Sequence, residues 1–135
     1  MTTTTIKTAK KGFTLLEILI AVSIVGTLLA IFGPMVYRQL AQATTKTARL
    51  KMDQLKGAIN LYHADTQRYP TKLIDLVKKP ADPKIAAKWT GPYVEEDALE
   101  DPWGQTFRYK PTPGTKHPYE LYTMPEDSDE RISAW

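Results

Sequence analysis

The chain has 135 residues, 42% of them hydrophobic, no cysteine, and 18 Lys+Arg against 15 Asp+Glu for a formal charge of +3. That length allows one small domain plus an accessory element, and the missing cysteine excludes disulfides, thiol catalysis and Cys-ligated zinc. The whole charge excess belongs to Lys7, Lys10 and Lys11; from residue 13 onward the balance is 15 against 15, which argues against a cationic nucleic-acid surface.

The first element is apolar. From Phe13 to Val36 the chain reads FTLLEILIAVSIVGTLLAIFGPMV, 24 residues with a single ionisable side chain, Glu17. As a helix it spans roughly 36 Å, enough to cross a hydrocarbon core of about 30 Å. Three lysines precede it, whereas Arg38 stands alone beyond it until Lys46, so the positive-inside rule places the N-terminus in the cytoplasm. A cleavable secretory signal has a shorter apolar core. A plain membrane anchor leaves Glu17 at a cost of about 2.5–3.5 kcal/mol if ionised near the bilayer centre, less near the interface. A charge kept there calls for a partner. Gly33-Pro34 predicts either a kink in this helix or its end.

Beyond Pro34, Tyr37 to about Ala64 contains one glycine and no proline, and Ala48, Met52, Leu55, Ile59 and Tyr62 recur at spacings of four and three on one helical face. The simplest reading is one helix of about 50 residues, roughly 75 Å long, whose amphipathic second half needs a cover. Arg68-Tyr69-Pro70 closes it, because the residue before proline disfavours the α region. Thr71 is placed to cap a short helix through Leu73, Ile74, Leu76 and Val77, and Pro80 and Pro83 open a loop. Thr106–Lys110 and Tyr119–Thr123 then alternate as half-buried strands joined by a turn rich in proline and glycine. The expected fold is α+β: a long N-terminal helix, membrane-spanning at first and amphipathic later, packed on a head of two or three short antiparallel strands.

The chemical inventory is sparse. His63, near the end of the helix, and His117, in the turn, read as surface histidines without a nucleophile at a recognisable spacing. Phosphate-binding glycine loops and HExxH patterns are missing. Carboxylates gather at Glu95, Glu96, Asp97, Glu100 and Asp101, and again at Glu126, Asp127, Asp129 and Glu130; such runs in loops are solvated as a rule. Residues 38–94 carry 11 basic and 4 acidic side chains, residues 95–135 carry 4 and 10. That division suits either head-to-tail contacts between copies or an internal match of tail to helix.

Two sets of residues carry a family resemblance. Lys10-Lys11-Gly12-Phe13-Thr14-Leu15-Leu16-Glu17 resembles the processing motif of type IV prepilins and pseudopilins. By that resemblance a prepilin peptidase cuts after Gly12, Phe13 becomes an N-methylated N-terminus, and Glu17 pairs with the N-terminal ammonium of a neighbouring subunit. Gly91-Pro92-Tyr93, Asp101-Pro102-Trp103-Gly104, Phe107-Arg108-Tyr109 and Tyr119-Glu120-Leu121-Tyr122, with Arg68-Tyr69-Pro70-Thr71 and the ending near Ile132 and Trp135, resemble the major, G-type pseudopilin of type II secretion systems.

The resemblance implies a leader at 1–12, a spanning and assembly helix at 13–36 and a periplasmic head at 37–135, anchored once in the inner membrane and polymerised into a pseudopilus without enzymatic activity. Implied partners are further copies of the chain, minor pseudopilins, the peptidase and the inner-membrane secretion platform. The rival readings are a type IV pilin for adhesion, motility or DNA uptake, and a monomeric membrane-anchored binding module. G-type pseudopilins typically carry Ca²⁺ in a glycine-rich loop after their last strands. Here Asp127 and Asp129 are the candidate ligands, but the loop is short, lacks glycine, and has Arg131 where an aspartate is expected.

Overall fold

The computed structural model describes residues 11–125 and 128–135. The chain divides into two compact units, the first ending at Leu40 and the second running Ala41–Trp135, although a single helix, α1 (Leu15–Thr66), contributes to both. Pro34 lies inside α1 and does not end it. Its ring removes one amide donor, and the helix continues on either side of that gap.

In the first unit every described residue is exposed, with Leu15 at 88% and Phe32 at 54%. The polar side chains in the apolar run are turned back on the helix itself: the Ser23 hydroxyl donates to the Leu19 carbonyl at 2.8 Å and that of Thr27 to the Ser23 carbonyl at 2.9 Å. Hydroxyls satisfied in this way present no unpaired donor to an apolar surrounding. This helix is long and apolar enough to cross a membrane.

The second unit is built on the amphipathic face that the sequence predicts. Ala48, Met52, Leu55, Ile59 and Tyr62 are all buried, with Ala58 beside them. Met52, Leu55, Ala58, Ile59 and Tyr62 pack against Leu73, Leu76, Val94, Leu99, Phe107, Tyr119, Leu121 and Ile132 in one core. α1 ends at Thr66, whose hydroxyl donates to the Tyr62 and Arg68 carbonyls at 2.8 and 3.0 Å. Gln67 follows with a φ of 59°, the left-handed turn that commonly terminates a helix, here without a glycine.

A 3₁₀ turn at Leu73–Leu76 takes the place of the expected short helix. Thr71 does not cap it. Instead the Asp75 carboxylate reaches back to accept the Thr71 and Lys72 amides at 3.1 and 3.0 Å, so an acidic side chain inside the turn satisfies the donors ahead of it. A short helix, α2 (Pro83–Ala86), and a second 3₁₀ turn, Glu96–Leu99, lead to the sheet.

Three antiparallel strands, β1 (Arg108–Pro111), β2 (Tyr119–Thr123) and β3 (Ile132–Ser133), lie in the order β1-β2-β3. Tyr109 pairs with Leu121 and Pro111 with Tyr119; Tyr122 pairs with Ser133 and Thr123 with Ile132. Tyr119, Leu121 and Thr123 alternate inward on the central strand. β1 begins two residues later than its alternation suggests, because Thr106 instead forms an isolated bridge with Glu100. Pro111 is tolerated because β1 lies at the sheet edge, where one row of amides needs no ladder partner.

Candidate processing and assembly site

Gly12, Phe13 and Thr14 precede the first turn of α1 and are exposed, Phe13 at 84%. The helix start is set by a reciprocal cap. The Thr14 hydroxyl accepts the Glu17 amide at 3.1 Å, and a Glu17 carboxylate oxygen accepts the Thr14 amide at 3.1 Å and its hydroxyl at 3.3 Å. A Thr three residues ahead of a Glu is the capping-box pattern, and the sequence carries it openly as Thr14-Leu15-Leu16-Glu17. Reading Glu17 only as an intersubunit charge misses this local role. The negative side chain also lies in the first helical turn, where the macrodipole favours it.

The two histidines are not free surface groups. The His63 ring stacks on Tyr69 with centroids 4.3 Å apart, and that of His117 stacks on Trp135 at 4.5 Å. Both are half-buried aromatic fillers.

The first acidic cluster separates into unlike members. Glu95, Glu96, Asp97 and Glu100 are exposed, as expected, but Asp101 is 3% exposed. One of its carboxylate oxygens accepts the Trp103 and Gln105 amides, both at 2.9 Å, and the other accepts the Thr123 hydroxyl. Gly104 completes the turn with a φ of 82°, where a side chain would be strained. Asp101-Pro102-Trp103-Gly104 is thus a loop fastened to β2 rather than a solvated charge run.

A second anchor has no counterpart in the sequence reading. Asp65, in the last turn of α1, accepts hydroxyl hydrogen bonds from Thr90 at 2.5 Å and Tyr93 at 2.8 Å. These two bonds hold its carboxyl below the usual carboxylate range. The Trp89 indole donates to the Asp75 carbonyl at 2.8 Å, and a Cβ at Gly91 would lie 2.7 Å from the Trp89 ring. Glycine at that position is therefore a packing requirement of the Trp89–Tyr93 loop.

The basic residues of α1 meet the acidic segment through its backbone. Lys51 donates to the Asp97 and Glu100 carbonyls at 3.4 and 2.9 Å, at the end of a 3₁₀ turn where the Asp97 carbonyl also accepts the Glu100 amide. Lys56 donates to the Ala134 carbonyl at 3.3 Å and pairs with Asp53 in its own helix. The ion pair reaching this cluster is Lys78–Glu96, at 3.5 Å and exposed.

Of the candidate calcium ligands, Asp129 is exposed and Asp127 lies outside the described residues. Among the described residues no group of three or more carboxylates or histidines is gathered for a metal ion. The charge beside β3 is that of Arg131, whose guanidinium lies 3.9 Å from the centre of the Tyr122 ring and 3.4 Å from Glu120. The described residues do not by themselves assemble the six to eight oxygens that Ca²⁺ requires.

An apolar helix capped by Thr14 and Glu17, followed by an α+β head, defines a pilin-like subunit, and residues 7–33 match the prokaryotic N-terminal methylation motif. Residues 35–133 match type II secretion system (T2SS), protein G, and the chain belongs to that pseudopilin family. It is 34% identical to the type II secretion system core protein G of Pseudomonas aeruginosa, over 90% of this chain and 87% of that one. Identity to the core protein G of Xanthomonas campestris is 31%, over 90% and 82%, and to that of Aeromonas hydrophila 30%, over 96% and 94%. Such a chain is a part of the secretion machinery, and its apolar helix and methylation motif fit anchoring in the inner membrane.

Proposed function

We propose that this chain is the repeating structural subunit of a type II secretion pseudopilus. Prepilin peptidase removes the leader 1–12 by cutting after Gly12 and methylates Phe13. Residues 13–36 hold the subunit in the inner membrane with the N-terminus in the cytoplasm, and the head, 37–135, lies in the periplasm. Copies then polymerise on the inner-membrane platform with minor pseudopilins, and the growing filament helps export folded proteins. The chain itself is not an enzyme; mechanical work comes from a cytoplasmic ATPase.

The observation that carries this reading is the position of Glu17. It is the single ionisable side chain in an exposed apolar helix and stands one turn beyond an exposed Gly12-Phe13 bond. Within its own chain the carboxylate receives neutral donors from Thr14. A neighbour's N-terminal ammonium would supply the countercharge, and two opposite charges in an apolar bundle are tolerable only together, which favours one axial register between copies.

The test has two parts. Mass and N-terminal sequence of the mature protein should show a start at methylated Phe13; an intact Met1 would sink the pathway. Glu17→Leu should leave membrane insertion intact and abolish filaments, whereas unchanged filaments would remove the role given to Glu17.

A further inference from the structure

β3 is only two residues long, paired to β2 through Tyr122↔Ser133 and Thr123↔Ile132, with one more backbone bond from the Ala134 amide to the Leu121 carbonyl at 3.0 Å. A strand this short needs side-chain support to stay in register. Arg131, the residue before it, supplies that support. Its guanidinium lies over Tyr122 at 3.9 Å and places Nη2 3.4 Å from a Glu120 carboxylate oxygen. Glu120 and Tyr122 are two apart on β2, so they share its half-buried face, and the arginine crosses both. The planar guanidinium suits this double contact, since it lies over a ring and presents its charge to a carboxylate at once.

The arrangement departs from the calcium loop that the family implies. A divalent ion would have to collect several carboxylates beside a fixed positive charge, and the described residues gather no such group. We infer that Arg131, Glu120 and Tyr122 form a clasp that seats the C-terminal segment on the sheet, a covalently attached cation doing what a bound calcium ion would do, so that the head does not depend on divalent metal. The clasp stands apart from the assembly reading and is tested by folding alone.

The test uses the full chain in detergent micelles, with thermal unfolding followed in millimolar calcium chloride and in excess EGTA. The two midpoints should agree within about 1 °C. Arg131→Ala should lower the midpoint by about 2–5 °C with no recovery in calcium. Arg131→Lys, which keeps the charge and loses the planar stack, should fall between them. Combining Arg131→Ala with Glu120→Gln should cost less than the sum of the two single changes. A calcium-dependent rise in the wild-type midpoint would overturn the inference, as would an Arg131→Ala protein that melts with the wild type.

Discussion

Thr123, at the inward end of β2, donates its hydroxyl to the carboxylate of Asp101, and both side chains are almost fully buried. The same carboxylate closes the 101–105 loop through the Trp103 and Gln105 amides. One side chain therefore sets the conformation of a loop and fixes it to the sheet. Asp101→Ala removes the acceptor of two part-buried amides and a buried hydroxyl and should cost about 3 kcal/mol. Thr123→Val removes one donor and should cost less. Denaturant unfolding of the two variants checks the order.

Leu55 is fully buried where α1 packs on the core of the second unit. Leu55→Ala should lower stability by about 2–5 kcal/mol, because the transfer energy is lost and a cavity remains. Exposed Leu50, in the same helix, should tolerate alanine within about 0.5 kcal/mol. Equal effects at the two positions would contradict the assigned helical face.

Acid should loosen the Trp89–Tyr93 loop. The Thr90 and Tyr93 hydroxyls hold the Asp65 carboxyl below its ordinary value of 3.8. As pH falls the unfolded chain binds this proton first. The contribution is therefore complete above the ordinary value and is lost as pH drops through the lower value of the folded state. Asp65→Asn should flatten that part of the acid profile, measured by melting across the range.

Alkali acts on the opposite side. Burial, with Tyr69 nearby, pushes the Tyr119 hydroxyl up to about 12, and burial raises Tyr109 too, whose hydroxyl donates to the Pro70 carbonyl at 2.8 Å. Tyrosines in the unfolded chain ionise near 10.0. Stability from these buried neutral phenols is thus full below that value and is lost as pH rises toward about 12. Tyr119→Phe should shallow the alkaline decline in a pH series of unfolding midpoints.

The exposed members of the first acidic cluster should matter to assembly more than to folding. Lys51 is bound to backbone carbonyls, and the Glu96 contact to Lys78 is a long surface pair. Such pairs contribute little to stability. Reversing Glu95 and Glu96 to lysine should leave the head's melting temperature within about 2 °C and impair filament formation. A lower midpoint with normal filaments would favour an internal role for the cluster.

The legible and illegible parts of this molecule divide by sequence distance. The buried face of α1 follows from a 3.6-residue period, and β2 from strict alternation, because both patterns repeat within a few residues. Thr14 and Glu17 are also local, and their cap is written in the spacing. Asp101 is different: it looks like one of five clustered acids until Thr123, 22 residues away, is placed against it. Asp65 likewise waits on Thr90 and Tyr93, 25 and 28 residues further on. Residue type points to Thr71 as the cap of the Leu73–Leu76 turn, yet Asp75 fills that role because its carboxylate reaches two preceding amides at once.

The hydroxyls of Ser23 and Thr27, folded back on their own helix, join a main chain that satisfies itself through most of the apolar unit, except in its first turn and opposite Pro34. Under the proposed assembly this segment leaves lipid and enters a bundle of its own kind. Apart from Glu17, which gains a neighbour's ammonium, nothing in its hydrogen bonding has to be rewritten on that journey. The exchange concerns only which apolar neighbours touch the side chains, so the helix is indifferent to the transfer along most of its length, and direction must come from its few polar points, Glu17 first among them.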